Sequence, residues 1–297
     1  MNRRLQDVRR RAARALAGAA AAAALLCGLA AAPTPARADA LEAIAERGVL
    51  TLGYRLDAPP FSYRDEGGAP EGLAVALCAA LASHIGEALG VPDLKVEWKP
   101  VTSQTRFPAV RDGEVDLHCG PTTQTIARRE TLDFSIPYFI AGAGVVFRKG
   151  GAESLSDLTS EPVGVLAGTT TEALAPELLR KHGATSPVAP FPSHVHGLAA
   201  LQAGEIEAYI GDQSILYYQL GRMAPLAPLH VAPDLYSFEP YALTMKRGET
   251  GLRLLVDQGL SRIYRSGEIY DHIRSAMGRV NLSPLTEAVY EVVAIPE

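Results

Sequence analysis

The chain has 297 residues and a formal net charge of −5. Residues 1–38 contain seven arginines and one aspartate, so the remaining 259 residues carry 21 basic and 32 acidic side chains. This net charge of −11 argues against nucleic acid or anionic lipid as a partner, because both repel an acidic surface. A segment of this length can bury a large core and is typical of two domains.

The first 38 residues have the pattern of a secretory signal peptide. Arginines open the segment, a run rich in alanine and leucine follows, and Ala36-Arg37-Ala38 supplies a small-x-small cleavage site. The alternative is a membrane anchor, but alanine and glycine dominate the run. We therefore expect export, with cleavage between Ala38 and Asp39.

Hydrophobic periodicity predicts alternating strands and helices in the next part of the chain. Apolar residues alternate at 49–54, 94–98 and 115–119, which predicts three strands. Leucine and isoleucine recur every four residues from Leu73 to Leu89, which predicts a helix that ends at Gly90. Two short helices are expected, one starting near Arg106 and one bearing Arg128. This order is typical of a parallel sheet in an α/β fold.

A second run of the same kind begins after residue 150. It predicts strands at 163–167, 188–191 and 206–210, helices at 172–181 and 193–203, further strands within 235–245, and helices at 252–263 and 268–277. We therefore predict two lobes, each a mostly parallel sheet flanked by helices. Lobe 1 comprises residues 39–146 and 238–297, and lobe 2 comprises residues 147–237. Two crossing strands, near 144–147 and 236–241, would form a hinge.

Two cysteines remain after the signal peptide, Cys78 in a predicted helix and Cys119 at the end of a predicted strand. A core of this size needs no covalent link, so we interpret both as buried free thiols. A disulfide between them is the alternative in an oxidising compartment.

Two threonine-rich turns are candidates for an anion site. Gly120-Pro121-Thr122-Thr123 and Gly168-Thr169-Thr170 each follow a predicted strand and precede a predicted helix. Helix N-termini attract anions, and ligands of α/β folds bind at the carboxyl ends of strands. Ordinary N-capping by threonine is the alternative.

Two charged residues lie close to these turns in the sequence. Arg128 follows Thr123 by five residues, and its planar fork could hold a carboxylate at two points. Asp212 ends a predicted strand, where it could accept from an ammonium group or cap the following helix.

With these turns and charged residues, the chain resembles the family 3 periplasmic solute-binding proteins of ABC transporters, which bind amino acids and have the type II binding-protein fold. The motifs that carry the resemblance are GYRLDAPPFSY, CGPTTQTIARRETLDFS, VGVLAGTTTEAL and AGEIEAYIGDQSIL, within residues 41–280. The resemblance implies that Arg128, with the hydroxyl groups of Thr123 and Thr170, holds the ligand α-carboxylate. It also implies that Asp212 binds the α-ammonium.

Further residues are similar to the glutamate/aspartate-binding branch of that family. Arg55, Ser103, Arg106 and His194 match its contacts to the distal carboxylate. Pro121 departs from the pattern, because the branch has a serine there and proline offers neither a hydroxyl group nor an N–H. If His194 binds as a charged ring, affinity should weaken as the pH rises through its titration.

The expected protein is a monomeric periplasmic receptor for L-glutamate or L-aspartate that delivers its ligand to an ABC permease. It is not expected to be an enzyme, and no cofactor is predicted. No metal site is predicted either, because His194-Val195-His196 alone supplies too few ligands. The alternatives are a receptor for another polar amino acid such as glutamine, a dehydratase of prephenate-like acids on the same fold, and a soluble sensor for a membrane signalling protein.

Overall fold

The computed structural model describes residues 39–223, 228–280 and 282–296. The predicted signal peptide therefore lies outside the described residues. The elements up to residue 148 are α1 (Ala40–Arg47), β1 (Val49–Arg55), β2 (Asp57–Ala58), β3 (Ser62–Arg64), β4 (Pro70–Glu71), α2 (Leu73–Ala88), β5 (Lys95–Val101), α3 (Arg106–Arg111), β6 (Leu117–Cys119), α4 (Ile126–Arg129), β7 (Leu132–Phe134), β8 (Phe139–Ala141) and β9 (Ala143–Arg148).

The remaining elements follow a 3-10 turn at Leu155–Asp157. They are β10 (Val163–Leu166), α5 (Thr170–Lys181), β11 (Val188–Phe191), α6 (His194–Ala203), β12 (Ala208–Asp212), α7 (Gln213–Arg222), β13 (Leu229–Val231), β14 (Glu239–Tyr241), β15 (Thr244–Lys246), α8 (Thr250–Ser266), α9 (Glu268–Met277) and α10 (Pro284–Val293). The sequence pattern predicted most of the long elements but not the small sheet β2–β3–β4 or helix α10.

The first large sheet has the order β5-β1-β6-β15-β7. Strands β5, β1 and β6 are parallel, whereas β15 returns from late in the chain and pairs antiparallel to β6 and β7. The four-residue repeat of α2 is buried as predicted, with Leu73, Leu77, Leu81 and Ile85 fully enclosed. This face of α2 packs with α8 and α9 over the sheet in one large apolar core.

The second large sheet has the order β11-β10-β12-β9-β13. Strands β11, β10 and β12 are parallel, and β9 is antiparallel to β12 and β13. Helices α5 and α6 pack against β10 and β12. The two sheets thus repeat the same arrangement of parallel strands, with an antiparallel strand inserted next to the parallel set.

A two-stranded antiparallel ribbon, β8 with β14, lies where the chain passes between the two sheets. Glu239 pairs with Ala141 and Tyr241 with Phe139. The crossing strand expected at 144–147 instead lies inside the second sheet as part of β9, and the segment that pairs with 239–241 is 139–141.

Cys78 and Cys119 form a disulfide. The interpretation of both as free thiols is therefore wrong. Helix α2 packs on β6 and brings the two Cα atoms to 6.1 Å, within the range that a disulfide spans. The bond anchors the end of β6, immediately before the turn that contains Pro121 and Thr123.

Candidate functional site

One cavity is lined by residues from both large sheets, at the carboxyl ends of their parallel strands. Its empty volume, which includes space open to solvent, is about 290 Å³. Eight of the nine residues that the sequence singled out line it: Arg55, Arg106, Pro121, Thr123, Arg128, Thr170, His194 and Asp212. Leu166, Thr169 and Ile215 complete the lining.

Arg106 is almost fully buried in the wall of the cavity, with 2% of its surface exposed. It donates to the carbonyl of Ser103 at 2.6 Å and, across the cavity, to the carbonyl of Gly168 at 3.0 Å. Its Nε has no hydrogen-bond partner, and it forms no ion pair with a described residue. Burial, and then the neighbouring positive charges of Arg55 and Arg128, push its pKa well below the usual value. A ligand anion would relieve both penalties.

Arg128 also forms no ion pair with any residue that the structure describes. Its guanidinium donates to the carbonyl of Thr123 at 2.8 Å and lies 5.0 Å from the centre of the Phe107 ring. Burial lowers its pKa, while Glu239 and Asp212 act in the opposite direction. Arg128 is therefore a second cation that is held in place by a neutral carbonyl and an aromatic ring, with its charge not neutralised by direct contact.

Arg55 differs from the other two arginines because it has an acidic partner. Its Nη2 lies 2.6 Å from Oδ1 of Asp57, and its Nε lies 3.2 Å from the same oxygen. Burial is the largest influence and would raise the pKa of Asp57, but the charge and hydrogen bond of Arg55, together with His194 and Arg106, outweigh it, and the pKa is lowered. Asp57 was missed in the sequence, although its position two residues after Arg55 in an extended segment places both side chains on one face.

Asp212 ends β12 and supplies a carboxylate to the cavity. Its backbone occupies the position before α7, but its side chain makes no capping hydrogen bond. Oδ1 is enclosed and has no hydrogen-bond partner among the described residues. Burial, and then the negative charge of Glu239, raise the pKa of Asp212 to about 7. The capping alternative is therefore not supported, and the carboxylate is available to a cation.

At each of the two threonine turns, one threonine caps the following helix and a nearby threonine faces the cavity. Thr125 and Thr169 accept from backbone N–H groups and cap α4 and α5. This leaves Thr123 and Thr170 to face the cavity from opposite sides, with their hydroxyl oxygens 3.4 Å apart.

The hydroxyl groups of Thr123 and Thr170 both donate to Oε2 of Glu239, at 2.5 Å and 2.6 Å. A hydroxyl group has one proton, so neither can also donate to a ligand carboxylate in this arrangement. The role implied for both hydroxyls, as donors to the α-carboxylate, differs from this geometry. Glu239 was not singled out in the sequence; the only signal was an acid within the otherwise apolar segment around β14.

His194 begins α6 and is almost fully buried. Its Nδ1 lies 3.1 Å from the Tyr209 hydroxyl, and burial lowers its pKa to about 4, although Asp57 acts in the opposite direction. The expected charged ring is therefore absent near neutral pH, and the pH dependence predicted from its titration loses its basis. A neutral ring can still donate one hydrogen bond.

Ser103 and Pro121 occupy different places relative to the cavity. Ser103 is buried, its carbonyl accepts from Arg106, and it does not line the cavity; its hydroxyl has no hydrogen-bond partner among the described residues. Pro121 lines the wall without donating. Thr122 does not replace the missing serine hydroxyl there, because it is enclosed and lies 3.3 Å from Nδ1 of His118.

The chain matches one known protein family over most of its length. A model of the bacterial extracellular solute-binding proteins, family 3, matches residues 50–278. The chain belongs to this family. Within the part of this family 3 protein that the structure describes, no helix is both long and apolar enough to cross a membrane.

Relatives of this family 3 protein are named for several ligands. The L-glutamate/L-aspartate-binding protein of Pseudomonas aeruginosa is 32% identical over 231 residues, which cover 77% of this chain and 76% of that protein. A glutamine-binding protein of Geobacillus stearothermophilus is 32% identical over 213 residues, which cover 71% of this chain and 77% of that protein.

A solved structure shares the fold. The ancestral amino acid-binding protein AncCDT-1, described as a precursor of cyclohexadienyl dehydratase, has a TM-score of 0.69 and 27% identity, and covers 80% of this chain and 99% of that one. The family 3 chain thus has the two-lobed type II fold of periplasmic binding proteins, with two mostly parallel sheets joined by the β8–β14 ribbon.

Proposed function

We propose that the protein is the periplasmic substrate-binding receptor of an ABC amino-acid importer and that it binds L-glutamate or L-aspartate. One observation carries the proposal. Among the described residues, the cavity contains two guanidinium groups without an ion-pair partner, the buried Arg106 and the half-buried Arg128, and one carboxylate, Asp212, whose enclosed Oδ1 has no hydrogen bond. An acidic amino acid offers two carboxylates and one ammonium, which complement these three charges.

Arg128 is assigned to the α-carboxylate. Its planar fork can grip a carboxylate at two points, and the N-terminus of α5 at Thr170 faces the same space. The first N–H groups of a helix have no partner within the helix, so they can add donors there. This assignment keeps the expected role of Arg128 and gives Thr170 a main-chain contribution.

Arg106 is assigned to the distal carboxylate. Its unpartnered Nε is the donor, and Arg55 adds positive charge next to it. His194 is proposed as a neutral donor to the same carboxylate from its uncharged ring. Ser103 is proposed as a further donor that must first rotate about its Cα–Cβ bond, because its hydroxyl does not line the cavity. Asp212 accepts from the α-ammonium.

The receptor is proposed to close about the β8–β14 ribbon, with lobe 2 as the moving part. Contacts between the two parts of the chain support a closed form: Arg106 reaches the carbonyl of Gly168, and Gln219 donates to the carbonyl of Asp57 at 3.2 Å. The closed receptor would then dock on the permease. The predicted signal peptide, with cleavage before Asp39, would deliver the protein to the periplasm.

Glutamine is the second candidate ligand, favoured by the glutamine-binding relative. A dehydratase is a further candidate, because Asp212, with a pKa of about 7, could act as a general acid and the ancestral neighbour is described as a dehydratase precursor. The uncompensated charges of Arg106 and Arg128 favour a diacid over glutamine.

A thermal-shift screen of the mature protein tests the proposal. The panel comprises the twenty amino acids, prephenate and arogenate. Glutamate and aspartate at 100 times their Kd should stabilise the folded protein by about 2.7 kcal/mol, whereas neutral and basic amino acids should give no shift. A shift with glutamine alone, or with prephenate and loss of that compound, would contradict the proposed ligand.

A further inference from the structure

Glu239 is buried with 3% of its surface exposed, yet it forms no ion pair with any residue that the structure describes. It lies on β14, in the ribbon that connects the two sheets. Its carboxylate is instead surrounded by hydroxyl groups. Oε2 accepts from Thr123 and Thr170, and Oε1 accepts from Ser237 at 2.9 Å. Glu239 does not line the cavity, so its hydrogen bonds reach a ligand only through the threonines, while its charge also acts on the cavity groups at a distance.

The direction of these hydrogen bonds determines what the cavity presents to a ligand. Each threonine hydroxyl has one proton and two lone pairs. When the proton points to Glu239, the remaining lone pairs of Thr123 and Thr170 are acceptors. Reversing one hydroxyl towards a ligand carboxylate would remove one of the two donors to Oε2 of Glu239. Reversing both would leave this buried oxygen without either donor, which carries a desolvation cost. The arrangement therefore favours a donor in the ligand at this point.

We infer that Glu239 is a positioning residue that makes the receptor select ligands with an amine. By taking the protons of Thr123 and Thr170, it fixes both hydroxyls as acceptors for the ligand ammonium, beside the carboxylate of Asp212. This inference rests on the proposed function as an acidic amino-acid receptor. It replaces the expected role of the two hydroxyl groups as donors to the α-carboxylate.

The electrostatics of the cavity agree with this assignment. The negative charge of Glu239 is felt at Asp212, whose pKa it raises, and at Arg128. Two nearby carboxylates and two acceptor hydroxyls create a site that attracts a cation, whereas the arginines attract anions elsewhere in the same cavity. Together they distinguish an amino diacid from a plain diacid.

Calorimetry with L-glutamate and glutarate, the same five-carbon diacid without the amine, tests the inference. Three proteins are compared: the wild type, Glu239→Gln, and Glu207→Gln as a matched control. Glu207 also accepts from a threonine, Thr159, but lies outside the cavity lining. We expect Glu239→Gln to weaken glutamate roughly 10- to 100-fold and to leave glutarate within about threefold of the wild type. Glu207→Gln should change neither.

Because Glu239 is buried, Thr170→Val serves as a second variant that keeps the helix cap at Thr169. It should also weaken glutamate more than glutarate, and Thr170→Ser should restore the wild-type ratio. Equal weakening of both ligands, or an unchanged ratio in Glu239→Gln and Thr170→Val, would overturn the inference. A wild type that binds no glutamate would instead overturn the proposed function, and the inference with it.

Discussion

The two sheets contribute different chemistry to the same cavity. The part of the chain that builds the first sheet supplies three arginines, Arg55, Arg106 and Arg128, whereas the described residues of the second part supply no lysine or arginine to the lining. The second part adds threonines, a neutral histidine and the carboxylate of Asp212. In the proposed function, the arginines of the first part would hold the two carboxylates, and Asp212 and Thr170 of the second part would bind the amine together with Thr123.

The two parts also differ in how they are fixed. The Cys78–Cys119 disulfide lies in the first part, next to the turn that carries Pro121 and Thr123. The arginines are further held by protein carbonyls, Asp57 and the Phe107 ring. Prearranged groups lose little conformational freedom when a ligand binds, so we expect the first part of the chain to contribute most of the affinity.

The largest expected effect is from Arg128→Ala, which removes one cation from the first part. Truncating one member of a buried charge pair costs on the order of 2 to 5 kcal/mol, or roughly 30-fold to several-thousand-fold in affinity. We expect binding of every amino acid to fall by this factor, because all share the α-carboxylate. Calorimetry with glutamate and glutamine measures it.

Arg129→Ala is the control for this change, since Arg129 is the exposed neighbour on the same short helix and does not line the cavity. Glutamate affinity in Arg129→Ala should equal that of the wild type. Near-normal affinity in Arg128→Ala would show that the α-carboxylate is held elsewhere. It would contradict the proposal that the first part of the chain binds the carboxylates.

A smaller and more selective effect is expected from Arg55→Ala. The variant removes positive charge beside the distal carboxylate and leaves Asp57 without its partner. We expect glutamate affinity to fall roughly 10- to 100-fold, with a smaller loss for glutamine. The Kd for glutamine divided by the Kd for glutamate should therefore decrease. Calorimetric titration with both ligands gives that ratio.

Arg64→Ala provides the comparison for Arg55, because Arg64 is a nearby exposed arginine that donates to the Tyr54 hydroxyl outside the cavity. It should leave the ratio unchanged. If Arg55→Ala binds glutamate as tightly as the wild type does, the assignment of the distal carboxylate to the first part is wrong.

The smallest effect concerns pH and the second part. Ammonium binding favours ionised Asp212, but its pKa of about 7 in the free protein means that a proton must leave on binding below that pH. Affinity should therefore fall as pH falls, by about 25-fold from pH 7.5 to 5.5. Burial and then the charge of Glu239 raise this pKa, while Tyr241, Arg55 and Arg106 lower it.

Calorimetry across this range in buffers of different ionisation enthalpy also counts the released protons. His194 contributes no opposite trend, because its pKa of about 4 keeps it neutral throughout. Asp212→Asn should bind more weakly and with a flat profile. Affinity that increases towards pH 5.5 would support the charged histidine and contradict the role of Asp212.

Most of the long elements and most of the cavity residues were predictable, because they depend on local sequence patterns. The four-residue repeat of α2 and the alternation of β1 specify the elements, and the carboxyl ends of parallel strands converge in space. Residues placed at those ends, such as Arg55, Thr123 and Asp212, therefore meet in one cavity. Arg128 was identified through its spacing from Thr123 and through the family resemblance.

The features that were missed depend on contacts between distant parts of the chain. Glu239 is 116 residues from Thr123, so its hold on the hydroxyl proton has no local signal. The disulfide depends on the packing of α2 against β6, and the neutral state of His194 depends on burial. Sequence patterns locate such groups, but tertiary packing decides their partners and protonation.

A crystal structure of the mature protein with L-glutamate tests the central claim most directly. The account predicts the distal carboxylate on Nε of Arg106, the α-carboxylate on the fork of Arg128, and the ammonium within hydrogen-bond distance of Asp212 and the hydroxyls of Thr123 and Thr170. A ligand bound the other way round, with its ammonium away from Asp212, would contradict the account, as would Arg106 Nε left without a partner.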